Sequence, residues 1–291
     1  CRMNRFELVC EASCQVGESP VWLPAEERLL FIDVKGRHLH RYDPRAGTLA
    51  TLAVDEDIGF VAPALGGGYL APMRSGIWLL DEDGRKRRCL AANPADPRTV
   101  RFNDGGTDCR GRLLIGTIDE TKRDGLAGLY RLDAHGLTEV AGGLMTSNGV
   151  AFTADGRTLY HSDTPRFVVY RCDYDPETGG VSARRVFARL DSQAPDRGRP
   201  DGAAVDAAGR YWSALYEGSR VNCYNPSGAL LAEYAVPARS PTMPAFGDAD
   251  MQTLYVTTAK AADGSGGGLY ALRVDTPGLV RPAFDEGSVR S

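Results

Sequence analysis

The sequence lacks the features that mark several large classes of protein. It has no surplus of positive charge, since 34 lysines and arginines are set against 38 aspartates and glutamates and the formal net charge is −4. A nucleic-acid partner is therefore not expected. No run of about 18 apolar residues occurs, and neither end shows a charged segment followed by an apolar one. We expect a cytoplasmic protein that is not held in a membrane.

Cysteine and histidine form no recognisable metal or disulfide pattern. The seven cysteines are an odd number, are scattered and include no C-x-x-C pair, which favours free thiols. The four histidines show no H-E-x-x-H spacing, and the G-x-S-x-G, Walker A and G-x-G-x-x-G strings are absent. The sequence therefore gives no support to a zinc protease, a serine hydrolase of the nucleophile-elbow type or a nucleotide-binding protein.

Glycine, in contrast, is abundant and accompanies a repeat. The 34 glycines in 291 residues indicate many tight turns and few long helices. A turn followed by a β-rich run occurs six times, and the comparable residues of these runs are Leu29, Tyr69, Leu114, Leu159, Trp212 and Leu254. Their separations of 40, 45, 45, 53 and 42 residues are typical of propeller blades.

The repeat predicts an all-β fold, namely a six-bladed β-propeller with four-stranded antiparallel blades around a central channel; the polar residues described below make this a metal-containing channel. A single domain over residues 1–291 accounts for the whole chain, and we expect a monomer or a weak homo-oligomer. The run at residues 6–9 is predicted to add the outer strand of the last blade, which closes the ring and protects its edge. The Pro-rich stretch at residues 237–246 indicates a loop, either near the channel mouth or as a connection between blades.

Four of the six repeats carry a polar residue at one shared position. Eleven residues before Leu29, Leu114, Leu159 and Trp212 stand, respectively, Glu18, Asn103, Asn148 and Asp201. The matching positions of the other two repeats fall near the apolar residues Ile58 and Met243. Innermost strands of a propeller line the channel side by side, so these positions are expected to converge on the axis at one end.

The converging residues favour a divalent cation. Two carboxylates in a channel repel each other and lose hydration, and a cation removes that conflict. All the candidate ligand atoms are oxygen, which favours Ca²⁺, Mg²⁺ or Mn²⁺ and leaves Zn²⁺ and Fe²⁺ open. The Asn-Gly, Asn-Asp-Gly and Asp-Gly strings are also ordinary turn sequences, so it is the shared offset that favours a site. Arg101 lies two residues before Asn103 and leaves the same face of an extended strand.

The sequence motifs that contain these polar residues resemble those of the SMP-30/gluconolactonase family, also called regucalcin-like. They are, in chain order, Gly17-Glu18-Ser19-Pro20-Val21-Trp22, Arg101-Phe102-Asn103-Asp104-Gly105, Ser147-Asn148-Gly149 and Pro200-Asp201-Gly202. The resemblance extends over nearly the whole chain. It implies a six-bladed propeller with one divalent metal ion in the channel and, in many members, hydrolysis of sugar lactones.

The same resemblance implies roles for individual residues. Glu18, Asn148 and Asp201 are the implied metal ligands. Arg101 and Asn103 are the implied substrate contacts. In some members an acidic residue just after a Gly-Thr pair in the third blade also touches the sugar. Glu120 is the residue predicted for that contact here, with Asp119 as the alternative.

The implied site suits the hydrolysis of a lactone. That reaction needs a polarised carbonyl, a hydroxide-like water and a place for negative charge, all of which a divalent cation can supply. Asp201 is the candidate general base, a role that the resemblance also suggests. We therefore predict metal-dependent hydrolysis of a sugar (aldono)lactone to the aldonic acid. A non-catalytic calcium-binding or scaffold propeller and an organophosphate or aryl-ester hydrolase remain as alternatives.

Overall fold

The computed structural model describes residues 5–123 and 125–289 of the chain. These residues form six four-stranded antiparallel sheets, which we number as blades 1 to 6 in chain order. The predicted six-bladed propeller is confirmed. In this part of the chain the helical elements are two 3₁₀ turns, Thr164–Arg166 and Glu286–Val289, and no helix is long and apolar enough to cross a membrane.

The strands follow one another from the channel outwards in each blade. Blade 1 contains β2 (Gly17–Leu23), β3 (Arg28–Asp33), β4 (His38–Asp43) and β5 (Thr48–Ala53). Blade 2 contains β6 (Ala62–Pro63), β7 (Tyr69–Pro72), β8 (Gly76–Leu80) and β9 (Lys86–Ala92). Blade 3 contains β10 (Val100–Thr107), β11 (Leu113–Asp119), β12 (Ala127–Asp133) and β13 (Gly136–Leu144).

The second half of the ring repeats this order. Blade 4 contains β14 (Ser147–Phe152), β15 (Thr158–Asp163), β16 (Val168–Asp175) and β17 (Gly180–Arg189). Blade 5 contains β18 (Arg199–Val205), β19 (Tyr211–Tyr216), β20 (Arg220–Tyr224) and β21 (Leu230–Ala235). Blade 6 contains β22 (Ser240–Gly247), β23 (Thr253–Ala259), β24 (Leu269–Arg273) and β1 (Glu7–Cys10).

Blade 6 joins the two ends of the propeller. Strand β1 pairs antiparallel with β24, with Glu7 opposite Ala271 and Leu8 opposite Tyr270. The prediction that the N-terminal run supplies the outer strand of the last blade is therefore confirmed. Because the blade takes strands from both ends of the chain, pairing within one sheet closes the ring.

The Pro-rich stretch was wrongly predicted to be a loop. Only residues 237–239 connect blades, and residues 240–247 form β22, the buried inner strand of blade 6. Pro241 pairs with Thr258 and Pro244 pairs with Val256. An inner strand faces the channel along one edge, where a missing N–H removes no ladder bond, so proline is tolerated there.

The apolar core lies between neighbouring blades rather than on the axis. One cluster joins Leu30 and Ile32 of blade 1 to Val61 and Ala71 in and beside blade 2. Five further clusters fill the other interfaces around the ring. Outer strands such as β5 and β17 are largely exposed, whereas β22 is buried along its whole length. This packing leaves the axis to the polar side chains of the inner strands.

The two ends of the channel differ. We call the end where the inner strands begin the mouth; its loops include residues 120–123 and 190–198. At the opposite end, the base, the C-terminal segment crosses from blade 5 to blade 2, with Gly278 bridged to Asp206 and Phe284 bridged to Ala64. These two blades are opposite each other in a ring of six, so the segment spans the base.

The six cysteines that the structure describes are free, as predicted.

Candidate metal and active site

A cavity of about 530 Å³ opens at the mouth of the propeller. Its lining includes five of the residues singled out in the sequence, Glu18, Arg101, Asn103, Asn148 and Asp201. They come from the first residues of four inner strands, β2, β10, β14 and β18. The structure therefore brings together side chains that are far apart in the chain.

The convergence depends on a backbone irregularity that the four strands share. The pairing of each inner strand with its neighbour shifts register at or beside the polar residue. The shifts lie between Glu18 and Val21, Phe102 and Gly105, Asn148 and Ala151, and Pro200 and Ala203. Such bulges turn a side chain away from the regular pleat. The Asn-Gly and Asp-Gly pairs therefore lie at bulges within strands, not in turns between strands.

Gly149 shows why glycine follows the polar residue. Its φ is +61°, a left-handed conformation that favours glycine. A Cβ atom at this position would lie 2.3 Å from the Tyr211 hydroxyl oxygen. That hydroxyl donates to the carbonyl oxygen of Gly149 over 3.0 Å, which ties β14 to blade 5. The glycine thus lets two blades approach beside Asn148.

A chain of hydrogen bonds orients the side-chain amide of Asn148. Arg101 Nη1 donates to Asn103 Oδ1 over 3.0 Å, and Asn103 Nδ2 donates to Asn148 Oδ1 over 2.7 Å. Asn148 Nδ2 in turn donates to Thr164 Oγ1 over 2.8 Å, and that hydroxyl donates to the Pro200 carbonyl oxygen over 2.7 Å. The amide is held from both sides, and its oxygen keeps one lone pair for a ligand.

The carboxyl groups of Glu18 and Asp201 lie at the floor of the cavity. Burial raises the pKa of Glu18, and the charge of nearby Asp104 raises it further. Burial also raises the pKa of Asp201, and the charges of Glu18 and Asp104 add to that effect. Arg101 opposes these shifts without cancelling them. The floor is therefore short of positive charge.

These residues fit a hard divalent cation. Two carboxylates and an oriented amide oxygen are ligands that Ca²⁺, Mg²⁺ and Mn²⁺ accept, and a cation would offset the unfavourable burial of the two charges. Within residues 5–123 and 125–289 no cluster of three or more His, Cys, Asp and Glu side chains could hold a metal ion. The proposed ligands Glu18, Asp201 and Asn148 do not form such a cluster, because only two of them are carboxylates and the third is an amide.

Asp104 and Arg281 belong to the same electrostatic environment, and the sequence did not single them out. Asp104 accepts the backbone N–H groups of Gly105 over 2.7 Å and Val150 over 2.9 Å. Burial raises its pKa to about 6. Arg281 comes from the segment that crosses the base, and its charge favours the ionised forms of Asp104 and Glu18. The signal for Asp104 was the Arg-Phe-Asn-Asp-Gly string, whereas Arg281 lies outside every repeat.

A group of ion pairs surrounds Arg101 at the mouth. Glu120 contacts Arg101 Nε at 3.4 Å, Arg74 Nη1 at 3.0 Å and Lys35 Nζ at 3.3 Å. Asp119, the alternative to Glu120, is buried and accepts hydrogen bonds from the backbone N–H and hydroxyl of Thr121. Of these two acidic residues, Glu120 is therefore the one beside Arg101.

The chain is similar to known proteins over most of its length. The family model described as SMP-30/gluconolactonase/LRE-like region matches residues 16–260. A 6-deoxy-6-sulfogluconolactonase from Pseudomonas putida is 41% identical over 280 residues, covering 92% of this chain and 94% of that protein. A pentonolactonase from Haloferax volcanii is 40% identical over 264 residues, covering 89% and 87% respectively.

A solved structure gives the same result for the fold. The structure of regucalcin from Agrobacterium tumefaciens, described as a calcium-binding protein, matches with a TM-score of 0.89 at 25% identity. The match covers 98% of this chain and 99% of that one. The chain belongs to the SMP-30/gluconolactonase family.

Proposed function

We propose that this protein is an enzyme that hydrolyses a sugar lactone to the corresponding aldonic acid, with a divalent cation held by Glu18, Asn148 and Asp201. The observation that carries the proposal is the cavity floor, where the carboxyl groups of Glu18 and Asp201 and an oriented amide line one cavity beside Arg101. Two relatives at 40% identity or more are named as lactonases, which supports the reaction class.

The reaction breaks one bond and moves one proton. Water adds to the carbonyl carbon, the bond from that carbon to the ring oxygen breaks, and a proton passes from the water to the ring oxygen. When bound, a divalent cation supplies Lewis acidity, which polarises an ester carbonyl and makes water more acidic. Asp201 accepts the proton of the water and returns it to the ring oxygen, because its carboxylate lines the cavity in which the water and the lactone would meet.

Arg101 and Asn103 have different parts in this proposal. The Arg101 guanidinium lines the cavity, is pinned through Nη1 to the Phe102 carbonyl oxygen at 2.9 Å, and faces Glu120 through Nε. A planar donor fixed in this way orients hydroxyl or carbonyl oxygens of a sugar. The amide of Asn103 bonds to Arg101 and Asn148, so besides any substrate contact it positions the Asn148 ligand.

A second candidate function is calcium binding without catalysis. It is favoured by the Agrobacterium structure, which is described as a calcium-binding protein. The two candidates differ in the part of Arg101, since in a cage that only holds a cation the guanidinium would position Asn103 and contact no substrate.

The test is a set of lactone assays with and without metal. The protein is treated with chelator, dialysed, and assayed with a pH indicator on glucono-, galactono-, xylono- and arabinonolactone, and on an aryl ester and a phosphotriester. We expect lactone hydrolysis above the spontaneous rate that chelation abolishes and one of Ca²⁺, Mg²⁺, Mn²⁺ or Zn²⁺ restores. Metal-independent hydrolysis, no hydrolysis, or turnover of the phosphotriester alone would contradict the proposal.

A further inference from the structure

The wall of the cavity carries positively charged side chains in addition to the residues of the floor. Besides the floor residues, its lining includes three cationic side chains from the mouth, Lys122, Arg197 and Arg199. Arg199 forms a salt bridge with Glu217 at 2.7 Å. In the described part of the chain no carboxylate lies within salt-bridge distance of Lys122 or Arg197. These two cations are therefore available to a ligand.

Lys122 and Arg197 each lie at the end of a hydrogen-bonded turn. Lys122 follows β11, and its backbone N–H donates to the Asp119 carbonyl oxygen over 3.0 Å. Arg197 precedes β18; its backbone N–H donates to the Ala194 carbonyl oxygen over 3.1 Å, and its Nη1 donates to the Ser192 carbonyl oxygen over 3.3 Å. The two side chains are thus brought to one cavity from blade 3 and from the connection between blades 4 and 5.

The other charges of the cavity are already matched. Arg101 has Glu120, and Arg199 has Glu217. Under the proposed function, Glu18 and Asp201 are matched by a bound cation. What remains is an excess of positive charge on the wall, above the floor where the ester carbonyl reacts. A neutral sugar lactone would form no ion pair with these side chains.

We infer, on the basis of the proposed function, that the preferred lactone carries a fixed anionic group on the part of the sugar away from the carbonyl, and that Lys122 and Arg197 bind this group. Sulfonate, phosphate and carboxylate share the required chemistry, because each offers several oxygens to charge-assisted hydrogen bonds. Arginine suits such oxyanions through its planar fork, and lysine adds a compact charge.

The experiment compares lactones that differ only in charge at the far end. Glucono-1,5-lactone is assayed beside its 6-sulfo-6-deoxy, 6-phospho and 6-carboxyl counterparts, with wild-type protein, Lys122→Gln, Arg197→Gln and the double variant. The control variant is Arg87→Gln, which removes an exposed cation from the outer strand β9. The measured quantity is the ratio of kcat/KM for each charged lactone to that for the neutral one.

We expect wild-type protein to favour at least one charged lactone by about 10-fold or more, the scale of one or two charge-assisted hydrogen bonds. The double variant should bring the ratio close to one, Arg87→Gln should not change it, and added salt should reduce it. The charged lactone with the highest ratio identifies the anionic group that the site prefers. A wild-type ratio of one or below, or a ratio that the double variant leaves intact, overturns the inference.

A binding measurement separates this inference from the proposed function. Calorimetry with the open-chain 6-sulfo, 6-phospho and 6-carboxyl aldonates, beside neutral gluconate, requires no turnover. If wild-type protein hydrolyses no lactone yet binds a charged aldonate through Lys122 and Arg197, the proposed function fails and the anion site stands. If lactones are hydrolysed and the charged and neutral aldonates bind equally, the proposed function stands and the anion site fails.

Discussion

Asn103 of blade 3 donates its side-chain N–H to the side-chain oxygen of Asn148 in blade 4 over 2.7 Å. The same N–H₂ group donates to the Ser147 carbonyl oxygen over 3.0 Å, so the amide of Asn103 is fixed to the strand that carries Asn148. The bond joins two strands from different blades at the point where both enter the cavity. A residue that resembles a substrate contact in sequence is thus placed to control the direction of a proposed metal ligand.

Replacing Asn103 by alanine should weaken the binding of a divalent cation. Without its donor, the Asn148 amide is held only by Thr164 and can turn away from Glu18 and Asp201. Outer residues that orient ligands commonly contribute about 10- to 100-fold in metal affinity, and we expect a loss in that range. Calorimetric titration of chelator-treated protein with Ca²⁺ and Mn²⁺ measures it. Gln193→Ala removes another cavity amide, one with no bond to Asn148, and should leave the affinity unchanged.

The stability of the metal-free protein should respond to pH through the cavity floor. A carboxyl group whose pKa is raised on folding binds more protons in the folded state, so its contribution to stability falls as pH rises above the ordinary carboxyl pKa. For Glu18 and Asp201 this loss begins above about pH 4.5. Glu18→Gln and Asp201→Asn should therefore stabilise the chelated protein at pH 7.5 by about 1–3 kcal/mol and matter little at pH 4.5.

Urea unfolding at both pH values measures this effect, and the same experiment with saturating metal is its control. The bound cation should reverse the ranking, so that wild-type protein becomes the most stable of the three. Variants that destabilise the chelated protein at pH 7.5 would show that the two carboxylates are already compensated without metal.

His161 should make the protein sensitive to acid. The residue is fully buried beside Tyr170 in blade 4, and burial, aided by the charge of Arg184, lowers its pKa to about 3. The unfolded chain takes up a proton below the ordinary histidine pKa, so this stability is present above about pH 6.5 and is lost as the pH falls towards 3. Between pH 7 and pH 5, the free energy of unfolding of wild-type protein should therefore fall by about 2 kcal/mol more than that of His161→Phe.

The measurement is the free energy of unfolding in urea at pH 7 and pH 5. His135→Gln is the matched control, because His135 is exposed. If His161→Phe loses stability in parallel with wild-type protein across this range, the acid sensitivity comes from other groups.

Gly149 should not accept a side chain. Gly149→Ala adds a Cβ atom 2.3 Å from the Tyr211 hydroxyl oxygen and also requires a left-handed backbone, so we expect a cost of roughly 3 kcal/mol or more. Gly47→Ala is the control, since Gly47 has φ +66° but no atom within 4 Å of the position that a Cβ would take. That variant should cost only about 1 kcal/mol, from the backbone alone. Equal losses of melting temperature would contradict the close packing at Gly149.

The sequence predicted the fold well because the fold is periodic. The residues compared across the repeats, from Leu29 to Leu254, all lie on the second strand of their blades. The polar positions could be recognised for the same reason, because residues at a fixed number of positions before the second strand lie at the same depth in the channel. The bulges that direct the side chains were visible only as Asn-Gly and Asp-Gly pairs, which have the composition of turns.

What the sequence did not predict lies outside the repeat. Arg281 reaches the channel from a C-terminal segment that spans the base, and Lys122 and Arg197 come from mouth loops whose lengths differ between blades. No periodic pattern encodes such positions. The prolines of β22 were misread because proline usually interrupts a strand, whereas here one edge of that strand faces the channel.

The central claim is that one cation is held jointly by Glu18, Asn148 and Asp201, and anomalous diffraction tests it most directly. Crystals of the chelated protein are soaked in Mn²⁺, and an anomalous difference map is calculated from data collected near the manganese edge. The account predicts one dominant peak at the cavity floor, within about 2.0–2.6 Å of an oxygen atom from each of the three side chains. A map with no peak there at saturating Mn²⁺, or with its dominant peak elsewhere on the propeller, would contradict it.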